Sequence, residues 1–402
     1  MSLKIFVAPL RYVQGPDALS QLGEQLDIIG VGRPLLLVSK SARKVTGEVA
    51  TESLRRNDLP HAFTDFGGEC TWDEIERVRE TCIKGGHDAI ISCGGGKTID
   101  TGRAAAAASA VMVNKFPPEF IPRIGASVAC INIPTVAATD ASTSASSLVY
   151  NQQGVMEAAL AFPTNPAMVL VDTGVIARAP ARLLVAGMGD ALATFFEADV
   201  CRRTGTPSFH TGAQSTMTAQ TVARLCLQIL LEHGLQATKE AEAGVPGPGI
   251  EAVTEANVLL SGLGFENGGL SAAHALEGAF HLIPNRFETH LYHGELVAFG
   301  TLTQLVLEAR DPEFLERIFR FCKSVGLPTT FSEMTLTNVT DEDLKTIADG
   351  ASKSIIIRSM PEGRSQADEN GRFYDHLSIF RALKATDALG RSIIHPREEP
   401  EV

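Results

Sequence analysis

Short, largely apolar runs alternate with longer amphipathic stretches through the first half of the chain. Five such runs are bounded by proline, glycine or polar turn residues: 35–38, 62–64, 89–93, 129–134 and 168–172. Apolar runs of this length are typical of parallel strands buried on both faces. The intervening periodicity predicts helices at residues 42–57, 71–84 and 99–113, and residues 148–150 with a strand from 155 predict a hairpin. Strand, loop and helix in alternation predict a doubly wound α/β sheet.

The strand pattern ends in the middle of the chain. After Pro180, helical periodicity dominates, with interruptions at residues 244–249 and 326–328. The pattern therefore predicts two domains with a boundary near residue 175, an α/β domain over residues 1–175 and an all-helical domain over residues 176–402.

Composition limits the classes of partner. The 402 residues suit two domains, and a hydrophobic fraction of 44% with a mean hydropathy of +0.07 predicts a large core. A net charge of −12 disfavours nucleic acid and anionic membranes as partners, because there is no basic surplus to release counterions. We expect no transmembrane helix and no targeting segment, and hence a cytoplasmic protein. The seven scattered cysteines are expected to be reduced thiols in that compartment. The alternative is that one of them is a reactive nucleophile.

A glycine-rich loop follows the predicted strand at 89–93. Gly94, Gly95 and Gly96 precede Lys97 at the start of a helix. Glycines let the backbone approach a pyrophosphate, and a helix N-terminus offers free N–H groups with a partial positive charge. The spacing matches no standard phosphate-binding motif, so an ordinary tight turn stays the alternative. Three glycines and a lysine favour phosphate binding.

Residues 134–147 form a second polar cluster, rich in serine and threonine, after the next predicted strand. Ligands of open α/β sheets sit beyond the carboxyl ends of the strands, so both clusters could face one crevice. A solvated loop explains residues 134–147 equally well.

One aspartate and two histidines are candidates for a metal site. Asp190 follows Gly187-Met188-Gly189 and precedes an apolar run, which predicts a carboxylate at the start of a buried helix, where it needs a cationic partner. Small residues surround His274, and His293 is predicted to begin a helix. One carboxylate and two imidazoles form an open site of the catalytic zinc type. Spacing alone does not select these three, and His281 and His290 are interpreted as ordinary helix or surface histidines.

At these residues the sequence resembles the glycerol dehydrogenases, described as a zinc-dependent branch of the iron-containing alcohol dehydrogenase superfamily. The resemblance runs from about Pro9 to Arg391. It rests on segments that include 12–15, 94–101, 139–141, 187–197, 261–270 and 293–302.

The resemblance implies a fold and a set of site residues. It implies an α/β N-terminal dinucleotide-binding domain, an all-α C-terminal metal- and substrate-binding domain, a catalytic zinc in the cleft between them, and a homo-oligomer. Asp190, His274 and His293 would bind the Zn2+, and Asp140 would lie beside the substrate hydroxyls. The implied cofactor-binding residues are Gly94, Gly95, Gly96, Lys97 and Asp100 near the pyrophosphate and Thr135, Ser144, Ser146 and Tyr150 on the nicotinamide side.

Two departures from the family pattern affect these expectations. Glu277-Gly278 stands where the family commonly has His-Asn-Gly after the first zinc histidine. Lys40 stands where an acidic residue usually accepts hydrogen bonds from the adenosine ribose, and a lysine there could pair with a 2′-phosphate or lie in solvent. NAD is therefore the expected cofactor, with NADP as the alternative.

The expected reaction is the reversible oxidation of a small polyol substrate, glycerol to dihydroxyacetone, by metal-assisted hydride transfer. Two alternatives belong to other classes. One is a lyase or phospho-polyol enzyme of the same fold, similar to dehydroquinate synthase or glycerol-1-phosphate dehydrogenase, which needs clustered Lys and Arg. The other is a metal-free binding or assembly protein.

Overall fold

The computed structural model describes residues 3–115 and 118–394. The tail 396–402, for which the sequence predicts no element, lies outside the described residues.

Across residues 3–115 and 118–394, ten strands form two sheets. In chain order they are β1 Tyr12–Gly15, β2 Pro34–Val38, β3 Ala62–Asp65, β4 Ala89–Gly94, β5 Ala110–Met112, β6 Glu119–Ile121, β7 Ala129–Pro134, β8 Ser146–Tyr150, β9 Met156–Ala161 and β10 Met168–Asp172. Six of them pair in parallel in the order β1-β10-β7-β4-β2-β3. The predicted doubly wound sheet is confirmed.

The strand order creates a switch point between β2 and β4. From β2 the chain moves outward to β3 and then returns to the other side of β2 to form β4. Connections that diverge from two adjacent strands leave a crevice at their carboxyl ends, where α/β proteins bind ligands. Val38 of β2 lies opposite Cys93 of β4, so the loops that follow these two residues lie side by side.

Both faces of the parallel sheet are covered. Leu36 and Val38 pack into a core with the helices on one face, and Leu35 and Leu37 pack into a second core on the other. This double burial explains why β2 is continuously apolar in sequence.

The second sheet is antiparallel, in the order β6-β5-β9-β8, and it contains the predicted hairpin as β8 and β9. The predicted helix over residues 99–113 is wrong in its second half, because the helix ends at Ala106 and residues 110–112 form β5. Carbonyl groups of Ala105, Ala106 and Ala107 accept N–H groups from residues 125–128 instead of continuing the helix. An alanine run has no hydrophobic period that could mark this end.

Fourteen α-helices accompany the strands in the part of the chain that the structure describes. They are α1 Leu22–Ile28, α2 Lys40–Arg56, α3 Trp72–Gly85, α4 Gly96–Ala106, α5 Thr173–Ala177, α6 Ala181–Thr204, α7 Met217–Ala243, α8 Pro248–Glu255, α9 Ser261–Gly268, α10 Ala272–Phe280, α11 His293–Leu307, α12 Pro312–Val325, α13 Asp341–Lys353 and α14 His376–Ile394. A π-helical turn, Ala256–Leu260, joins α8 to α9, and short 3₁₀ turns lie at Ala18–Gln21, Pro284–Arg286 and Ile355–Ser359. Within the described ranges, none of these helices has both the length and the apolar character needed to cross a bilayer.

The chain forms two compact units. The sheet unit consists of Val7–Leu184 and Gln236–Leu263, and the helical unit consists of residues 3–6, Val185–Leu235 and 264–394. The described part of the chain has no strand after β10, so the expected combination of an α/β region and a helical region is confirmed. The division into functional domains at residue 175 stays a prediction.

Candidate metal centre and nucleotide-binding edge

Asp190 lies in the middle of α6, so the prediction that it opens a helix after a Gly-x-Gly break is wrong. The glycines allow a close approach instead. A Cβ on Gly189 would lie 2.2 Å from the carbonyl oxygen of Gly294, the second residue of α11. Helices α6 and α11 therefore pack backbone against backbone, and this places His293, the first residue of α11, next to Asp190.

Asp190, His274 and His293 converge within the helical unit. One ligand atom from each lies within 4.8 Å of the other two. Oδ1 of Asp190 is 3.4 Å from Nε2 of His274 and 3.3 Å from Nε2 of His293. A tetrahedral ion with bonds of about 2.0–2.1 Å has ligands about 3.3–3.4 Å apart, so these distances fit zinc-type coordination. Two imidazoles and one carboxylate leave a fourth position open.

Each of the two histidines also contacts a second carboxylate through its Nδ1 atom. Oε2 of Glu197 on α6 is 2.6 Å from Nδ1 of His274, and Oε1 of Glu277 on α10 is 3.0 Å from Nδ1 of His293. Hydrogen bonds of this type hold a ligand histidine with its other nitrogen free for the metal. No role for Glu197 was predicted from the sequence. The available signal was a glutamate within the apolar run 191–198, seven residues after Asp190.

The electrostatics of the site favour positive charge. Burial alone would lower the pKa of His274, but Glu197 and Asp190 raise it to about 10. Burial would also lower the pKa of His293, yet Glu277 and Asp190 raise it well above its usual value. Burial opposes ionisation of Asp190 too, but the two imidazoles lower its pKa. The centre is therefore suited to a cation.

The other histidines near the centre do not join it. His281, which is 65% exposed, contacts only the outer side of this arrangement through Oε1 of Glu277 at 2.9 Å from its Nε2. The ring of His290 packs edge-on against that of Tyr292. Neither belongs to the cluster of Asp190, His274 and His293.

The glycine loop lies at the switch point of the sheet unit. Gly94 ends β4, Gly95 precedes the first turn of α4, and Gly96 begins that helix. A Cβ on Gly94 would lie 2.7 Å from Oγ1 of Thr98, so packing requires glycine there. At Gly95 the nearest atom to a Cβ, on Val136, is 3.8 Å away. Packing does not explain Gly95, whereas the approach of a phosphate would.

Two lysines border this loop. Lys97 forms an ion pair with Glu69, and its Nζ is 5.8 Å from the centre of the Tyr150 ring. Lys40 is exposed and begins α2 directly after β2. Because β2 and β4 are neighbours, Lys40 and the glycine loop leave the same edge of the sheet.

The carboxylate of Asp100 is held by an ion pair and a backbone hydrogen bond. Its Oδ1 is 3.1 Å from Nη1 of the buried Arg103, and its Oδ2 accepts the N–H of Leu148 at 3.2 Å. Burial raises the pKa of Asp100 to about 6 against the lowering effect of Arg103. Asp100 thus ties α4 to β8.

The predicted nicotinamide-side residues lie on the loops and strand beyond the glycine loop. The N–H of Thr135 donates to the carbonyl of Gly94 at 3.1 Å, and the hydroxyls of Ser144 and Ser146 are 3.3 Å apart. Tyr150 ends β8. These residues belong to the same unit as the glycine loop.

Asp140 is anchored from the π-helical turn and α9. Its Oδ2 accepts the hydroxyl of Ser261 at 2.9 Å. Asn257 donates to the carbonyls of Ala137 and Leu184 at 2.9 and 3.0 Å. Single π-helical turns are frequent at functional sites, and this one fixes the loop that carries Asp140. No local pattern in residues 256–260 predicts the π-turn.

His274 also lines a groove of about 980 Å³ on the helical unit. Its walls include Lys345, Lys353 and Arg372, all distant in sequence from the proposed ligands. Each cation has a carboxylate partner: Asp349 pairs with both Lys353 and Arg372, at 2.6 and 2.7 Å, and Glu342 lies 3.7 Å from Lys345. The groove therefore offers little net positive charge.

All seven cysteines are free thiols. Burial raises the pKa of Cys93 to about 11 and that of Cys322 to about 12. Thiols of this kind are protonated at neutral pH and poor nucleophiles. The geometry favours the interpretation of the cysteines as packed side chains.

Comparisons with known proteins agree with these features. Residues 9–173 match the family model of the iron-containing alcohol dehydrogenases. The chain is 40% identical to a glycerol dehydrogenase from Thermotoga maritima, over 96% of this chain and 97% of that one, and 40% identical to one from Escherichia coli O6:H1, over 98% and 100%. The crystal structure of glycerol dehydrogenase from Schizosaccharomyces pombe superposes with a TM-score of 0.85 at 31% identity, over 100% of this chain and 94% of that one.

Proposed function

This chain belongs to the iron-containing alcohol dehydrogenase family, and we propose that it is a metal-dependent polyol dehydrogenase that oxidises glycerol to dihydroxyacetone with NAD. Relatives that share 40% of the sequence along nearly their whole length carry the name glycerol dehydrogenase. The chain is accordingly an oxidoreductase that acts on a CH–OH group.

The convergence of Asp190, His274 and His293 carries the proposal. Their separations of 3.3 and 3.4 Å match adjacent corners of a tetrahedron, and one corner is left for a substrate oxygen. We assign the ion as Zn2+, since two imidazoles and a carboxylate are the ligand set of an open zinc site. A divalent ion held there supplies Lewis acidity that makes a substrate hydroxyl more acidic.

The remaining residues bind and orient. Oxidation of glycerol at C2 removes a hydride from the carbon and a proton from its hydroxyl. Bound NAD would supply the hydride acceptor, and a group of the protein must accept or relay the proton. Asp140 is our candidate for orienting the second hydroxyl or relaying the proton. The hydroxyl of Ser261 donates to Oδ2 of Asp140, and this hydrogen bond orients the carboxylate.

The coenzyme is assigned to the switch point of the parallel sheet. Gly95 and Gly96 leave the start of α4 open to a pyrophosphate, with Lys97 beside them. NAD is the proposed coenzyme. The exposed Lys40 at the same edge keeps NADP as the alternative, because a lysine can pair with a 2′-phosphate.

The phospho-substrate alternative is disfavoured by the groove next to His274. The described lysines and arginine of the groove pair with Asp349 or Glu342, so this surface offers a phosphate little uncompensated positive charge. Neutral hydroxyl groups suit such a mixed surface of donors and acceptors better.

Cellular location and assembly are also proposals. Seven free cysteines support a reducing compartment, and we assign the protein to the cytosol. A homo-oligomer is proposed from the resemblance to the family.

The test is the absorbance at 340 nm of zinc-loaded protein with glycerol and either NAD or NADP, with and without a chelator. We expect chelator-sensitive reduction of NAD, and we expect Asp190→Ala to lose both zinc and turnover. Full turnover by a zinc-free Asp190→Ala protein would overturn the metal assignment. Silence of the zinc-loaded wild type toward glycerol and a panel of 1,2-diols would favour the lyase-like alternative.

A further inference from the structure

We propose that Glu277 is a positioning residue of the metal centre, which acts by fixing the ring of His293. The inference rests on the proposed function only in so far as His293 is a metal ligand. It assigns Glu277 no contact with substrate or coenzyme.

The contact geometry defines the role. Oε1 of Glu277 is 3.0 Å from Nδ1 of His293, and Nε2 of the same ring is 3.3 Å from Oδ1 of Asp190. The Nδ1 atom of His293 therefore faces Glu277, and its Nε2 atom faces Asp190 in the ligand cluster. A carboxylate can only accept a hydrogen bond, so Glu277 selects the form of His293 with its proton on Nδ1. In that form the lone pair of Nε2 is available to a metal ion.

His293 is the ligand that most needs such support. Its side chain is 39% exposed, whereas that of His274 is 18% exposed and that of Asp190 is 6% exposed. It is also the first residue of α11. The hydrogen bond that its Nδ1 donates to Glu277 orients this partly exposed ring.

The position of Glu277 makes this support rigid. Glu277 follows His274 by three residues, so the two side chains lie close together on α10. One helix therefore supplies a ligand, through His274, and the group that orients another ligand, through Glu277. Helix α10 in turn packs against α11, which carries His293.

Substitution of Glu277 disturbs fewer backbone hydrogen bonds than substitution of Glu197. Glu197 accepts hydrogen bonds from the backbone N–H groups of Ser271 and His274 as well as from the His274 ring, so its loss would disturb the start of α10. The hydrogen bonds described for Glu277 come from two imidazoles, those of His293 and His281. The His281 ring is 65% exposed, and this makes His281→Gln a matched control for the outer contact.

The experiment measures the affinity of the metal-free protein for Zn2+ by competition with a chromogenic chelator. We expect Glu277→Ala to weaken Zn2+ binding by about 10–100-fold, the usual effect of removing such a partner. Glu277→Gln should fall between Glu277→Ala and the wild type, because its amide oxygen can still accept the Nδ1 hydrogen. His281→Gln should stay within about twofold of the wild type. If Glu277→Ala does not fold, the same titration of Glu277→Gln, judged by the same ordering, decides the question.

A fourth variant separates this inference from the proposed function. Loss of zinc by His293→Ala together with wild-type affinity in Glu277→Ala would overturn the positioning role and leave the ligand set intact. Wild-type affinity in His293→Ala would overturn the ligand set itself. The visible spectrum of the Co2+-loaded proteins gives a readout independent of activity, and we expect Glu277→Ala to alter it while His281→Gln does not.

Discussion

Gly189 on α6 and Gly294 on α11 bring two helix backbones into direct contact. A Cβ on Gly189 would lie 2.2 Å from the carbonyl oxygen of Gly294, and one on Gly294 would lie 1.8 Å from that of Ala186. This contact sets the distance between the helices that carry Asp190 and His293. The geometry of the metal centre therefore depends on two glycines that are not themselves candidate ligands.

Gly189→Ala should destabilise the protein and weaken metal binding, because the new methyl group meets backbone that cannot rotate away. We expect a loss of about 1–3 kcal/mol in the free energy of unfolding, measured in urea. The control is Gly278→Ala on the exposed face of α10, where a Cβ meets nothing within 4 Å. That change should stabilise by about 0.5–1 kcal/mol, as alanine does in an open helix position. Equal stability of the two variants would contradict the role of the close contact.

Glu197→Gln should lower the affinity for Zn2+ by about 10–100-fold, because the negative charge that supports His274 as a ligand is lost. The amide oxygen can still accept the backbone N–H groups of Ser271 and His274, so we expect the fold to persist by circular dichroism. Glu316→Gln, which changes an exposed carboxylate of α12, serves as the control. An unchanged zinc affinity in Glu197→Gln would remove Glu197 from the account of the site.

Gly95→Ala should weaken binding of the coenzyme without destabilising the fold. A Cβ on Gly95 would lie 3.8 Å from the nearest atom, on Val136, so it fits without a clash. It would nevertheless occupy the surface that a pyrophosphate approaches. We expect the KM for the coenzyme to rise about tenfold or more, since a loss of about 1.4 kcal/mol in binding is tenfold, with a melting temperature close to that of the wild type. Gly94→Ala should instead lower the melting temperature, because its Cβ would meet Thr98 at 2.7 Å. A wild-type KM in Gly95→Ala would place the pyrophosphate elsewhere.

Lys40→Asp should shift coenzyme preference toward NAD. An aspartate at this edge can accept hydrogen bonds from the ribose hydroxyls and repels a 2′-phosphate. We expect the ratio of kcat/KM for NAD over NADP to rise about tenfold or more, as a difference of about 1.4 kcal/mol requires. Lys44→Asp, which changes another exposed lysine on α2, controls for overall charge. An unchanged ratio would return Lys40 to the role of a solvated surface residue.

His210 should make the protein sensitive to acid. Burial, with a smaller contribution from the charge of His274, lowers the pKa of His210 from 6.5 to about 4. A lowered histidine pKa means that the unfolded chain binds the proton more readily, so this contribution to stability is complete above about pH 6.5 and is lost as the pH falls toward 4. His210→Phe keeps the ring contact with Phe265, 4.7 Å between centres in the wild type, and cannot be protonated.

Urea unfolding at pH 7.5 and 4.5 measures this effect. The wild type should lose more stability than His210→Phe between the two values, by at most about 3 kcal/mol. Equal losses would show that the pKa of His210 in the folded protein is close to its value in the unfolded chain.

Much of the fold could be predicted from the sequence, because local patterns carry that information. Strands buried on both faces leave continuous apolar runs, and β2, β4, β7 and β10 lie where these runs predicted them. The alanine run from Ala104 carried no such period, so its helix was extended past Ala106 into β5. The small residues around His274 and the glycine before Asp190 marked positions of close packing, but not which chain segments meet there.

Local sequence patterns predict the parallel sheet, the glycine loop and the helical second half, and the family resemblance adds three candidate metal ligands. How those ligands are held is visible only in the folded protein. Hydrogen bonds between Glu197 and His274, and between Glu277 and His293, join residues 77 and 16 positions apart, and no local periodicity encodes such pairs. The close contact of Gly189 with Gly294 likewise arises from the packing of α6 against α11. Distances between segments are set by the packing of whole helices, and that packing is a property of the folded chain.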